Sequence, residues 1–154
     1  MSAGLTLEQA TALQSTADRY LAALGGRQVA ANQIDLNGKG LLTIALPGEK
    51  KARGIGNHAA VRSADDPCLG GAFPGYFCAY SMAWGDGDSL AMFMCSEYVL
   101  PGWTGLGSWD NNQTTGTQAQ MRGRGGKVLF TTPGAYSNQM TGFDWNPVWG
   151  VSPC

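Results

Sequence analysis

The hydrophobic positions near the start of the chain follow the period of an α-helix. Between residues 6 and 24 they lie three and four positions apart, and the repeat stops at two glycines, Gly25 and Gly26. Thr6 has a side chain that can cap a helix, and Gln9 stands where a reciprocal capping residue is expected. The pattern therefore predicts an amphipathic helix over residues 6–24. Its apolar positions are Ala10, Leu13, Ala17, Tyr20, Leu21 and Leu24.

After these glycines the pattern changes to that of β-strands. Residues 27–36 and 41–46 are predicted as two strands joined through Asn37 and Gly38. This dipeptide favours a type I′ hairpin turn, because both residues tolerate positive φ. Residues 1–46 are thus predicted as a unit of one helix and one hairpin. Over residues 47–67 the periodicity disappears into charged, small and polar positions, which predicts a linker or a long surface loop.

From Cys68 to Cys154 the chain has the pattern of an all-β domain. Fourteen of the fifteen aromatic residues lie between Phe73 and Trp149, and fifteen of the 23 glycines follow Cys68. Short apolar runs separated by glycine turns predict a sandwich or barrel rather than βαβ units. The predicted fold class is therefore α+β overall, with a helix and hairpin followed by a β-sandwich. The predicted strands of this domain are residues 75–81, 89–96, 118–122, 127–132 and 145–151.

Composition and charge exclude several classes of function. Hydrophobic residues make up 44% of the chain and charged residues 14%, which is enough apolar material for a packed core. Ten basic and eleven acidic residues leave a net charge of −1, so no bulk attraction favours nucleic acid or an anionic membrane. We therefore expect neither as a partner. No apolar run approaches the roughly 20 residues of a membrane span.

The four cysteines predict two disulfides. They form no closely spaced pair, and the single histidine, His58, lies outside the region that contains them, which argues against a zinc site. Disulfides indicate an oxidising, extracellular setting, although a signal peptide is absent from this sequence. Three pairings can be drawn. We favour Cys68 with Cys78, which closes a local loop, and Cys95 with Cys154, which ties down the C-terminus.

No constellation of residues typical of an enzyme is recognisable. The only candidate for a histidine base, His58, stands in the predicted linker with no motif around it. Asp86 and Asp88 lie in a glycine turn and are interpreted as turn residues rather than as the two carboxylates of a glycosidase. The protein is therefore predicted to bind another molecule and not to be an enzyme.

Two motifs resemble a known family. Residues 74–81, with Cys68 upstream, are similar to the start of the crystallin-type domain in secreted actinobacterial proteins grouped with the Streptomyces metalloproteinase inhibitor. Residues 110–116 resemble the βγ-crystallin calcium motif. The resemblance covers roughly residues 68–154. It implies a Greek-key β-sandwich, secretion, disulfides and, in the named member, inhibition of metalloproteinases.

The chain departs from the calcium motif in ways that weaken it. Gly116 stands where the motif has its final serine, and only one such motif is recognisable where a double site needs two. Because calcium affinity rises with the number of anionic oxygens, we expect weak binding or none, and interpret the segment as a vestigial turn. We expect no other cofactor. The candidate calcium ligands are Asp110, Asn111, Asn112 and Thr115.

The favoured function is that of a peptidase inhibitor, which presents a rigid, extended loop to the cleft of an enzyme. Residues 68–73 and 96–103 are the candidate loops. A thermolysin-like target requires a large apolar residue after the scissile bond, and the sequence does not choose between Leu69 and Val99. The alternatives are an adaptor or structural subunit of a secreted toxin complex, a killer-toxin-like protein, or a carbohydrate-binding protein in which Trp103 and Trp109 stack on sugars. The candidate partner-binding residues are Leu69, Phe73, Tyr98, Val99 and Trp103.

Overall fold

The protein is an α+β fold in which two mostly antiparallel sheets form a β-sandwich with a helix packed against it. A computed structural model describes residues 4–55, 66–100 and 102–154. The elements are α1 (Leu7–Leu24), β1 (Arg27–Ala30), β2 (Gln33–Asp35), β3 (Gly40–Thr43), β4 (Tyr76–Tyr80), β5 (Ser89–Met92), β6 (Tyr98–Val99), β7 (Leu106–Asn112), β8 (Gln120–Arg122), β9 (Val128–Thr131), β10 (Ser137–Asp144) and β11 (Gly150–Ser152), with a short 3-10 turn at Ala83–Gly85.

The predicted helix is confirmed, including its start signal. The Gln9 amide donates to the Thr6 hydroxyl and the Thr6 amide donates to the Gln9 side chain, both at 3.0 Å, which completes the capping box. Gly25 follows the last turn at a φ of 74°, where glycine is unstrained. The apolar face of α1 buries Leu13, Ala17 and Tyr20.

The predicted hairpin turn is also confirmed, because Asn37 and Gly38 both have positive φ, 57° and 78°, between β2 and β3. The single strand predicted over residues 27–36 is wrong, since β1 and β2 are two strands that pair with each other. Asn32 explains the break. Its side chain is fully buried in the turn and its amide donates to the carbonyls of Ile44 (2.9 Å) and Arg53 (2.7 Å).

The larger sheet contains strands from both ends of the chain. Its order is β1-β2-β3-β5-β4-β7-β10, and the smaller sheet has the order β6-β11-β8-β9. The hairpin strand β3 pairs with β5, which places Leu42 opposite Leu90. Helix residue Ala17 belongs to the same hydrophobic core as Trp109 and Trp145. Residues from both predicted units, 1–46 and 68–154, therefore share the larger sheet and its hydrophobic core.

Two long strands, β7 and β10, lie where the sequence pattern predicts no strand. The polar run Asp110, Asn111 and Asn112 was interpreted as part of a turn, but it forms the end of β7 and pairs with β4. These side chains are satisfied by tertiary hydrogen bonds, which hydrophobic alternation cannot reveal. The predicted strand over residues 145–151 shortens to β11, because the Val148 amide donates to the Trp145 carbonyl and closes a turn (3.0 Å).

The larger sheet has two different faces. Alternate residues such as Phe77, Leu90 and Trp109 point to the helix and the smaller sheet; we call this the inner face. Their neighbours, such as Cys78 and Tyr80, point the other way, to the outer face, where residues 66–73 cover them.

Both predicted disulfide pairings are confirmed, and all four cysteines are used. Cys68–Cys78 ties the covering segment of the outer face to β4. Cys95–Cys154 joins the C-terminus to the segment that leads into β6. In the described ranges, no helix combines the length and the apolar character needed to span a bilayer.

Candidate functional site

The first candidate loop, residues 68–73, is anchored at both ends but is not extended. Leu69 and Phe73 are exposed, and Gly70 and Gly71 both have positive φ, 77° and 118°. The Cys68–Cys78 disulfide anchors one end of the loop. The chain therefore follows a series of tight turns here and does not present an extended segment.

Two polar residues of β7 hold the other end of this loop. The Ala72 amide donates to the Asp110 carboxylate (2.7 Å), and the Asn112 side chain donates to the Ala72 carbonyl (2.8 Å). Partial burial raises the pKa of Asp110 above its ordinary value, and the Ala72 amide only partly opposes this effect. Tyr80 lies beneath the loop and donates to the Cys68 carbonyl (2.6 Å); burial and then the charge of Asp110 raise its pKa.

The second candidate loop contains the edge strand β6. Val99 lies opposite Gly150 of β11, and the Leu100 amide donates to the Trp149 carbonyl at 2.9 Å. In an antiparallel pair the backbone groups alternate in direction, so the amide and carbonyl of Val99 point away from β11. Since β6 ends the smaller sheet, those groups and the exposed Val99 side chain face outward.

A small pocket of about 150 Å³ adjoins β6. It lies where the end of α1 meets the hairpin turn and the segment before β6. The lining residues are Ala23, Leu24, Leu36, Asn37, Lys39, Glu97, Tyr98 and Val99.

Three aromatic residues predicted to contact a partner or a sugar are buried, and that prediction is corrected. Tyr98 fills the core, and its hydroxyl lies 2.8 Å from the carbonyl oxygens of both Lys39 and Met94. The Trp103 indole donates to the Tyr20 hydroxyl (3.2 Å), and Trp109 stacks on the inner face of the larger sheet. In so small a protein, large aromatic side chains are needed to fill the core.

The four candidate calcium ligands do not share one direction. Asp110 and Asn112 point to the outer face, whereas Asn111 is buried on the inner face, where its side chain donates to the Thr117 carbonyl (2.8 Å). The Thr115 hydroxyl lies 3.4 Å from that of Tyr136. Across the part of the chain that the structure describes, no group of three or more acidic, histidine or cysteine side chains is arranged to hold a metal ion.

The two acidic residues of the glycine turn have structural contacts. Asp86 forms an ion pair with Lys51 at 2.9 Å. Asp88 accepts hydrogen bonds from the Ala45 amide (2.8 Å) and from the Tyr20 hydroxyl. Both carboxylates thus connect the turn to preceding parts of the chain. His58, together with residues 56–65 of the predicted linker, lies outside the described residues.

A cleft of about 530 Å³ lies between α1 and the loops around Ser81 and Trp103. Tyr20 is at its wall, hydrogen-bonded to Asp88, and burial followed by the negative charge of Asp88 raises the pKa of Tyr20. The helical periodicity predicts Tyr20 only as a residue of the apolar face of α1. The sequence feature that distinguishes Tyr20 is that no other aromatic residue precedes Phe73.

Two tryptophans that the sequence analysis did not single out are exposed. Trp84 is 63% exposed and Trp149 is 45% exposed, with the Arg124 guanidinium 4.2 Å from the centre of the Trp149 ring. Trp84 also has a left-handed backbone, with a φ of 63°, which costs roughly 1–2 kcal/mol for a residue with a Cβ. In the sequence, the position of Trp84 next to the turn-forming residues Gly85 and Gly87 is the feature that indicates an exposed site.

Comparison of the chain with protein families, with curated proteins and with solved structures finds no match.

Proposed function

We propose that the protein is a secreted, non-enzymatic inhibitor of a metalloproteinase and that it presents β6 to the enzyme. The observation that carries this proposal is the edge position of β6, where an extended backbone and an exposed Val99 side chain face outward. Peptide segments commonly bind by adding a strand to a partner, so that backbone hydrogen bonds supply affinity and side chains supply specificity.

The surroundings of β6 support this role because they hold the segment in place before binding. The Cys95–Cys154 disulfide lies just ahead of it, and β11 pairs along its inward side. A segment that is already ordered loses little conformational entropy when it binds, which favours a tight complex. Val99 supplies the large apolar side chain required after the scissile bond.

The structure offers a reason to favour Val99 over Leu69. The two side chains have nearly equal exposure, 41% and 43%, but their backbones differ. Val99 is in an extended strand, whereas Leu69 lies in a tight turn ahead of two glycines with positive φ. A substrate-like segment must be extended to enter a protease cleft, and only the first of the two backbones meets this requirement.

Secretion and the Greek-key arrangement are the parts of the proposal that the family resemblance implies. Two disulfides support secretion, because such bonds persist in oxidising compartments. We propose in addition that the β-sandwich has the Greek-key arrangement of the crystallin-like inhibitors. The second candidate function is that of an adaptor in a secreted complex, which would use the same outward edge to bind a protein that is not a protease.

The test compares two matched charge substitutions. The wild-type protein, Val99→Asp and Leu69→Asp are each titrated against a thermolysin-like metalloproteinase. We expect the wild type to inhibit stoichiometrically, Val99→Asp to inhibit at least about tenfold more weakly, and Leu69→Asp to resemble the wild type. The reason is that a carboxylate buried in an apolar subsite is desolvated without a partner.

Thermal unfolding of both variants controls for damage to the fold, since each replaces an exposed side chain. If Leu69→Asp loses inhibition and Val99→Asp does not, the segment that binds the protease is residues 68–73. The adaptor function is favoured instead if the protease is not inhibited and a secreted protein co-purifies with the wild type in fixed ratio. In that case Val99→Asp should release this protein.

A further inference from the structure

The most exposed tryptophan of the described chain, Trp84, stands in a turn whose backbone is fixed by hydrogen bonds. The Lys51 ammonium donates to the Trp84 carbonyl (2.6 Å), and the Gly85 amide donates to the Ser108 hydroxyl (3.0 Å). The same hydroxyl donates to the Met82 carbonyl (2.8 Å). These bonds fix a turn in which a bulky residue adopts a conformation suited to glycine or asparagine. Strained positions that the surrounding structure maintains are characteristic of functional sites.

A cleft of about 250 Å³ lies beside Trp84. It is bounded by the turn itself, by the glycines of the covering loop and by Met140 on β10. Gly70 has open space where a side chain would stand, so its backbone is accessible from the cleft. Sites for drug-sized ligands are commonly 300–1,000 Å³, so this cleft suits a single ring. The lining residues are Lys51, Gly70, Gly71, Trp84, Gly85 and Met140.

The polar groups at the rim are electrically balanced. Lys51 forms an ion pair with Asp86 at 2.9 Å, which cancels the charge of the ammonium. An ammonium group has three donors, and the bonds to Trp84 and Asp86 use two of them. The third can serve a ligand hydroxyl. The site thus combines a flat aromatic surface with hydrogen-bonding groups and has little preference for a charged ligand.

We propose that this cleft binds a neutral pyranose ring of an oligosaccharide, with the Trp84 indole as its stacking platform. A pyranose has an apolar C–H face that matches an aromatic ring, and a rim of hydroxyls that matches the Lys51 ammonium and the glycine backbone. The cleft lies at the turn between β4 and β5 in the larger sheet, whereas Val99 is on the edge of the smaller sheet. The saccharide site is thus independent of the proposed inhibitory segment.

The test is titration calorimetry with the full chain and four hexasaccharides. Three are neutral, built from β-1,4-linked glucose, β-1,4-linked N-acetylglucosamine or α-1,4-linked glucose, and the fourth is an acidic oligogalacturonate. We expect at least one neutral sugar to bind with a Kd of about 1 mM or lower. Trp84→Ala should weaken binding at least about tenfold, and Trp84→Phe should weaken it less because an aromatic face remains.

Trp149→Ala is the matched control, since it removes an exposed indole that does not line this cleft, and it should bind as the wild type does. Melting temperatures must show that each variant is folded. The proposal is overturned if no neutral sugar binds at about 10 mM, if the acidic sugar is preferred, or if Trp84→Ala and Trp149→Ala bind equally. It is also overturned if the sugars are inert and Trp84→Ala instead abolishes capture of a secreted protein, because the surface would then be a protein interface.

Discussion

The two faces of the larger sheet are covered by different means. On the inner face, large apolar side chains pack in direct contact, as Phe77 does against Trp109 with ring centres 5.8 Å apart. On the outer face, a short loop lies over the strands. It is attached by the Cys68–Cys78 disulfide and by hydrogen bonds to Asp110 and Asn112. The inner face has a helix and a second sheet to pack against, whereas among the described residues the outer face is covered by this loop and by the turn around Ala83–Gly85.

A small protein can therefore shield one face of a sheet from solvent with few large apolar side chains. Burial of large side chains stabilises the inner face roughly in proportion to the area removed from water. The outer face instead uses a covalent bond and satisfied polar groups, whose contributions depend on a few positions. The two faces should therefore respond to different kinds of substitution.

The largest effect is expected on the inner face. Trp109→Ala removes an almost fully buried indole and leaves a cavity, so it should lower the free energy of unfolding by about 3–5 kcal/mol. Chemical denaturation measures the change. Trp149→Ala is the control, because this indole is 45% exposed and lies outside the core, so its loss, including the contact with Arg124, should cost only about 1 kcal/mol. Equal losses in the two variants would contradict the division into faces.

A smaller effect is expected when the covering loop is released. Replacing Cys68 and Cys78 together by Ala opens a disulfide that spans 10 residues, which should lower stability by about 3 kcal/mol on the loop-entropy estimate. Hydrogen exchange should increase first in residues 66–73, while the amides of β4 and β5 stay protected. Exchange that rises equally in the helix would mean that the loop also supports the inner face.

The smallest effect concerns the Asp110 carboxylate. Because its pKa is raised in the folded protein, the protonated form is favoured, and stability falls as pH rises from the ordinary aspartate value, about 4, through the folded pKa. Asp110→Asn keeps an oxygen that can accept from the Ala72 amide and removes the titration. The melting temperature of the variant should therefore lack this decline, which thermal scans between about pH 4 and 7 detect.

Asp144→Asn, which alters an exposed carboxylate, serves as the control and should keep the pH dependence of the wild type. If Asp110→Asn also declines in the same way, another group is responsible.

Local signals predicted the parts of the fold that depend on neighbouring residues. The capping pair Thr6 and Gln9 placed the start of the helix, and Asn37 and Gly38 placed the hairpin turn. The favoured pairing of the cysteines rests on the loops that each bond would close: a short local loop for Cys68–Cys78 and the C-terminal segment for Cys95–Cys154. For the candidate site the sequence identified Val99 and Leu69 but could not choose between them, because the choice depends on backbone shape.

Sequence patterns alone predict the helix, the hairpin turn, the local Cys68–Cys78 loop and the β character of the aromatic-rich region, because each depends on residues close in sequence or on composition. The folded structure alone shows that the hairpin joins the larger sheet and that the polar end of β7 is a strand. It also decided which tryptophans are core and which are exposed. Those outcomes depend on contacts between residues far apart in the chain, such as Asp110 with Ala72, and no local pattern records them.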